Sequence, residues 1–144
     1  MVTVPARMIK NVARAMIGIP YKNFGRTTQG LDCLGMCIEF FSRFGLKIND
    51  SIIDGLAWVE HCDNVRKGGL ADLLKTNKPE IGGIVAIRSN STVPNHLAVV
   101  IDDTYILNSS QPVGIHFLRM FVVRQNIECF MKHPQLEVID DPRY

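Results

Sequence analysis

Asp32-Cys33-Leu34-Gly35-Met36-Cys37-Ile38-Glu39-Phe40-Phe41-Ser42-Arg43-Phe44-Gly45 is the stretch from which the rest of the chain can be read. Leu34, Ile38, Phe41 and Phe44 recur at three- and four-residue intervals, which lines them along one face of a helix running from Cys33 to Phe44. Asp32 suits the N-cap, because a carboxylate there accepts from backbone N–H groups that have no partner within the first turn. Gly45 supplies the stop. The spacing therefore predicts a helix that begins on a cysteine, at the positive end of the helix dipole, where a thiolate is favoured. Gly35 leaves little side-chain bulk near that sulfur, so a substrate backbone could approach it.

Working outward, Met8, Val12, Ala15 and Met16 repeat at helical intervals between Val4 and Ile17, with Pro5 in the first turn and the end at Gly18. Pro20 to Leu31 is polar, contains Gly25 and Gly30, and reads as a loop. Beyond the central helix, two shorter helical patterns lie between Asp54 and Lys75, broken at Gly68-Gly69 and carrying Trp58, Leu70 and Leu73. From Gly83 the character changes to short β-rich runs: Ile84 to Arg88, His96 to Ile101, Tyr105 to Ser109, Gly114 to Phe117 and Ile127 to Met131. Helices first and an antiparallel sheet second make an α+β arrangement. The tail after Pro134 is expected to be loosely attached.

The chain of 144 residues with 47% hydrophobic content suits one globular domain spanning 1–144. A net charge of only +2 removes the electrostatic footprint of a nucleic-acid binder. No segment is long and apolar enough to insert in a membrane, and the first ten residues lack the apolar run of a secretory signal. The four cysteines, Cys33, Cys37, Cys62 and Cys129, are irregularly spaced, which points to thiols rather than disulfides or a zinc site. No metal or cofactor is expected.

Of these cysteines, Cys33 has the position for chemistry, whereas Cys37 faces the core one turn later and Cys62 and Cys129 carry no comparable feature. A thiol nucleophile needs a base that accepts its proton near neutral pH, and the histidines are the candidates. His96 opens an apolar strand just after the turn-like Ser89 to Asn95, so its ring can stand at the sheet edge where a helix N-terminus meets it. His61, His116 and His133 read as structural.

The run Pro20-Tyr21-Lys22-Asn23-Phe24-Gly25, followed by Gly30-Leu31-Asp32-Cys33-Leu34-Gly35-Met36, resembles the signature P-Y-x-x-G-G-x-x-x-x-G-F-D-C-S-G-L of NlpC-type cell-wall cysteine peptidases. Pro79 to Ile87 is similar to that family's P-G-D-L-V-F-F strand, and His96-Leu97-Ala98-Val99-Val100-Ile101 to its H-V-G-I-Y-I. The likeness runs over roughly residues 6 to 131. Two positions depart from the pattern: Phe24 stands where the family usually has a glycine, and Leu34 replaces the serine after the cysteine. Both bear on substrate preference more than on the nucleophile. The resemblance implies a papain-like α+β fold, thiolate attack on an amide, a thioester intermediate, and peptidoglycan stem peptides as substrate. It also implies Tyr21 and Asp32 as substrate-binding residues, although Tyr21 would equally serve by packing under its loop.

A third polar residue should orient the His96 ring. The family places it twelve positions after the histidine, at Asn108. Geometry leaves two candidates. A two-residue turn at Asp102-Asp103 puts Ser109 opposite His96, whereas a three-residue turn at Asp102-Asp103-Thr104 pairs Ile101 with Tyr105 and makes Asn108 a same-face diagonal neighbour. Asn108 is preferred, since that turn keeps Tyr105 in the strand and an amide oxygen accepts well from a ring N–H.

The D-C-L-G variant occurs in phage-tail members of the family. With the Met1 start and no export signal, it leads to the expectation of a virion tail component that opens the cell wall during DNA entry, with other tail proteins as partners. The competing readings are a silent structural tail or assembly protein, and amidase or acyl-transfer chemistry on the same scaffold.

Overall fold

The computed structural model describes residues 1–48, 50, 73–88 and 96–140. Strand β1 (Val2–Pro5) leads into helix α1 (Ala6–Met16). A small β2 (Arg26–Thr27) and β3 (Gly30–Leu31) pair follows, then helix α2 (Cys33–Ser42). After β4 (Leu74–Thr76) come β5 (Ile84–Ile87), β6 (His96–Val100), β7 (Tyr105–Ser110) and β8 (Gly114–Arg119). A 3-10 helix (Met120–Asn126), β9 (Ile127–Lys132) and β10 (Leu136–Ile139) complete the described elements. The main sheet has six strands in the order β4-β9-β5-β6-β7-β8, every pair antiparallel.

The architecture is α+β, with all five expected strands present, because each alternates so that both sheet faces are apolar. One face carries Ile84, Ala86, Leu97, Val99, Ile101, Leu107 and Ile115, packed in the same core as α1 and α2. The other carries Val85, Ile87, Ala98, Val100 and Ile106 beneath Leu118, Met120, Val123, Ile127 and Phe130. Helix α2 is buried on more than one stripe: Leu34, Met36, Cys37, Phe40 and Phe41 are all core, while Ile38 and Phe44 only flank it. Phe40 and Phe41 are fully buried and meet edge-to-face at 5.3 Å. Burying each is worth roughly 2–3 kcal/mol, which fixes the helix and with it the place of its first residue.

Several expectations need correction. Pro5 ends a strand and precedes α1 rather than sitting in its first turn. The buried stripe of α1 is Ile9, Ala13 and Met16, and Ala15 is exposed, because the strand before the helix sets its rotation against the core. Lys75, read as the end of a helix, lies in β4, drawn into strand by pairing with Met131. The tail is not loose: β10 pairs in parallel with β1, Val2 opposite Leu136 through Pro5 opposite Ile139. His133 anchors that end, buried, with its Nε2–H donating to the Lys47 carbonyl at 2.8 Å and its Nδ1 accepting from the Gln135 N–H at 3.1 Å. The rest of the helical patterns from Asp54 on, with His61 and Cys62, and the Ser89 to Asn95 turn lie outside the described residues.

Candidate active site

Cys33 is the first residue of α2, and Asp32 is its N-cap. The Asp32 Oδ1 accepts from the Gly35 N–H at 2.7 Å and from Arg26 Nη1 at 2.8 Å, while Oδ2 accepts from the Phe24 N–H at 3.0 Å. The carboxylate is thus engaged by the protein's own chain, joining the loop before it to the helix after it. Gly35 serves the same junction. A Cβ there would collide with the Gly25 carbonyl and lie 3.0 Å from Arg26 Nη1 and 3.2 Å from Asp32 Oδ1. The missing side chain at Gly35 therefore makes room for the protein's own loop.

Within that loop Tyr21 is half-buried, and its hydroxyl is pushed up in pKa by burial first, then by the Cys33 and Asp32 charges. Phe24 has φ of +59°, the left-handed backbone that glycine adopts freely and a side chain enters at a cost of about 1–2 kcal/mol. The residue is 55% exposed, so core packing does not offset that cost.

The other half of the site comes from the sheet. Helix α2 packs on β6 and β7, and the Leu97 backbone N–H is one of the groups that act to lower the Cys33 thiol's pKa. The residue before Leu97, His96, opens β6. The pairing of β6 with β7 sets Val99 against Leu107 and Val100 against Ile106, and the Ile101 N–H donates to the Tyr105 carbonyl at 3.0 Å, which is the register of the three-residue turn. Asp102 Oδ1 closes that turn by accepting from the N–H groups of Thr104 at 2.8 Å and Tyr105 at 2.7 Å. In this register His96 Nε2 and Asn108 Oδ1 are 2.5 Å apart. An amide oxygen only accepts, so the ring proton is on Nε2 and Nδ1 keeps its lone pair. Ser109 is fully buried on the opposite face, where its hydroxyl donates to the Leu31 carbonyl at 2.8 Å.

Electrostatics correct one further expectation. The N–H groups of the helix start and of Leu97 do pull the Cys33 thiol down, yet burial outweighs them and the Asp32 charge adds to it, so the thiol lies above its ordinary 9.0. His96 moves the opposite way: burial lowers it from 6.5, the bond to Asn108 raises it in part, and His116 lowers it. Both shifts favour the neutral thiol and neutral imidazole in the substrate-free protein. Cys37 is fully buried and pushed much higher by burial, and Cys129 belongs to the core, as expected for structural thiols.

Two residues near the site escaped the sequence reading. Arg26 bridges Asp32 and Asp50, with Nε donating to Asp50 Oδ2 at 3.0 Å; in a polar loop nothing marks it out. His116 is the cross-strand partner of Asn108, and its Nδ1–H donates to the Gly114 carbonyl at 2.9 Å. Only the β7–β8 register reveals that neighbourhood.

The sequence model of the NlpC/P60 family matches residues 18–131. The chain belongs to that family. No curated protein matches it, but solved structures of NlpC/P60 proteins do. The NlpC/p60 domain of the peptidoglycan hydrolase SagA superposes with a TM-score of 0.61 at 18% identity, over 90% of this chain and 98% of that one. An NlpC/P60 family protein of Bacillus cereus gives 0.67 at 14% identity over 92% of this chain, and NlpC2 of Trichomonas vaginalis gives 0.64 at 13% over 89%. The chain spans 41% and 46% of the length of those last two. The fold is the papain-like NlpC/P60 fold, with the helix that starts on Cys33 laid against the sheet that starts its β6 on His96. Among the described residues, no helix is long and apolar enough to cross a membrane.

Proposed function

We propose that this NlpC/P60 protein is a thiol peptidase that hydrolyses amide bonds of peptidoglycan stem peptides, with Cys33 as nucleophile, His96 as base and Asn108 as the residue that orients His96. The observation that carries the reading is the packing of α2, which begins on Cys33, against β6, which begins on His96, with the His96 ring held by Asn108 so that Nδ1 is the unprotonated nitrogen. The peptidoglycan hydrolase SagA, which shares the fold, supports the substrate class.

In this mechanism His96 Nδ1 takes the Cys33 proton as the sulfur attacks the amide carbonyl carbon. The C–N bond then breaks, the departing amine takes the proton from Nδ1, and a thioester remains on Cys33. Water, deprotonated by the same nitrogen, attacks the thioester and releases a carboxylic acid and the thiol. Because the resting pair is neutral, the proton moves during attack rather than before it. Backbone N–H groups at the start of α2 can receive the developing oxyanion. Tyr21 lines the approach to Cys33, and Asp32 contributes to binding through the loop it holds.

Digestion of purified peptidoglycan, followed by mass spectrometry of the muropeptides, tests the reading. The expected result is a new free amine and carboxyl from one stem-peptide bond, lost in Cys33→Ala. A second reading, a silent structural protein that keeps the fold, predicts no product from the wild type. The Asp32-Cys33-Leu34-Gly35 variant supports placing the protein in a phage tail, beside other tail proteins. Its presence in purified virions is the test of that placement.

A further inference from the structure

Phe24 is the one residue other than glycine with positive φ among the described residues, and the residue is 55% exposed. A phenylalanine that neither fills the core nor suits its backbone is the kind of local strain that accompanies function. Its position is fixed. The Phe24 N–H is bonded to Asp32 Oδ2, the other oxygen of that carboxylate caps the helix beginning on Cys33, and the following residue, Gly25, presses its carbonyl on Gly35 in the first turn. The start of the same loop is tied to the strand just before Cys33, the Leu31 N–H donating to the Pro20 carbonyl at 2.9 Å. The loop from Tyr21 to Gly25 therefore stands beside the nucleophile, and Phe24 is its exposed apolar side chain.

We infer that Phe24 is a substrate-binding residue beside Cys33, an apolar wall for the C–H face of the substrate group flanking the scissile amide. The inference rests on the peptidase reading for the nature of that substrate, but not for the place of the ring. An aromatic face packs well against C–H surface and disfavours anionic groups. In a muropeptide that chemistry comes either from an alkyl side chain of the stem peptide or from the ring face of an amino sugar.

Two measurements on Phe24→Gly and Phe24→Trp decide the matter. The first needs no turnover: labelling of Cys33 by N-benzylmaleimide and by N-methylmaleimide, followed by mass spectrometry of the Cys33 peptide. The benzyl-to-methyl rate ratio should fall about three- to tenfold in Phe24→Gly and be kept in Phe24→Trp. An unchanged ratio in Phe24→Gly overturns the inference. The second measures hydrolysis of free stem peptide and of the disaccharide-linked peptide. A KM raised about three- to tenfold in Phe24→Gly, with kcat unchanged and Tm not lowered, supports the wall. A rise on both substrates assigns it to an alkyl group, and a rise on the disaccharide form alone assigns it to the sugar. Unchanged KM on both, or a lowered Tm with kcat lost, overturns it. A wild type that hydrolyses neither substrate refutes the peptidase reading instead, and the maleimide ratio then decides the position of Phe24 by itself.

Discussion

The two halves of the site are held by different kinds of contact. Around Cys33 the bonds are local: Asp32 joins Gly35, Arg26 and Phe24, which lie three, six and eight residues away along the chain. Around His96 the geometry depends on strand register and on a helix packed across the sheet, and the strand that carries Asn108 is tied across 78 residues by the Ser109 hydroxyl's bond to the Leu31 carbonyl. A local network can be damaged and leave the rest of the core standing, whereas a register has no intermediate setting, because a slip of one residue turns every side chain to the other face. Loss of the contacts that Asp32 and Gly35 make should therefore register mainly as stability, and loss of the contact that orients the His96 ring as turnover.

The nucleophile itself is the exception, and Cys33→Ala should show the largest effect. Hydrolysis should fall by roughly 10³-fold or more while thermal unfolding is nearly unchanged, since a half-buried sulfur at a helix start contributes little core volume. Equal loss in Cys37→Ala with Cys33→Ala active would break the assignment.

Asn108→Ala comes next, with kcat lowered roughly 10²-fold, because an unoriented ring loses part of what base catalysis contributes. Ser109→Ala should leave turnover intact and cost about 1 kcal/mol in a denaturant melt, the worth of its bond to the Leu31 carbonyl. The reverse pattern, with Ser109→Ala slow and Asn108→Ala normal, would show that the register does not orient His96.

On the local side, Gly35→Ala forces a methyl against the Gly25 carbonyl and should destabilise the fold by about 2 kcal/mol. Asp32→Ala removes the cap together with the Arg26 and Phe24 bonds, a loss of similar size at about 2 kcal/mol. If either variant kept full stability but lost turnover, the division between the halves would be wrong.

The smallest effects are those of pH. His96 must be neutral to accept a proton, and its pKa lies below 6.5, so kcat/KM should persist to below pH 6.5 before falling. The Cys33 thiol lies above 9.0, so iodoacetamide labelling of the substrate-free protein should keep rising as pH passes 9.0, still ahead of the fully buried Cys37. Complete labelling of Cys33 at pH 6 would reveal a preformed thiolate–imidazolium pair.

The nature of these contacts also explains what could be read without coordinates. Asp32 as N-cap, the glycine after α2 and the periodicity of the strands are short-range signals, carried by a few neighbouring residues. The β6–β7 turn was legible for the same reason, since Asp102, Asp103 and Thr104 are consecutive. The attachment of the last strand was not, because β10 is half-exposed and its partner β1 lies at the opposite end of the chain. The strand reading of Lys75 likewise depended on a partner, Met131, far along the sequence.

By itself the sequence determined the first helix, the helix that opens on a cysteine, the five β-rich runs, and the candidates for nucleophile, base and orienting group, because capping, periodicity and turn chemistry act over a handful of neighbouring residues. The tertiary structure alone decided what those residues experience. Burial, which only packing of the whole chain can create, outweighs the helix dipole at Cys33 and raises the thiol. The folding of loop onto helix fills the space at Gly35 with the Gly25 carbonyl and leaves Phe24 exposed on a left-handed backbone. Dielectric environment and close approach are properties of atoms distant in sequence and adjacent in space, and no local pattern of residues records them.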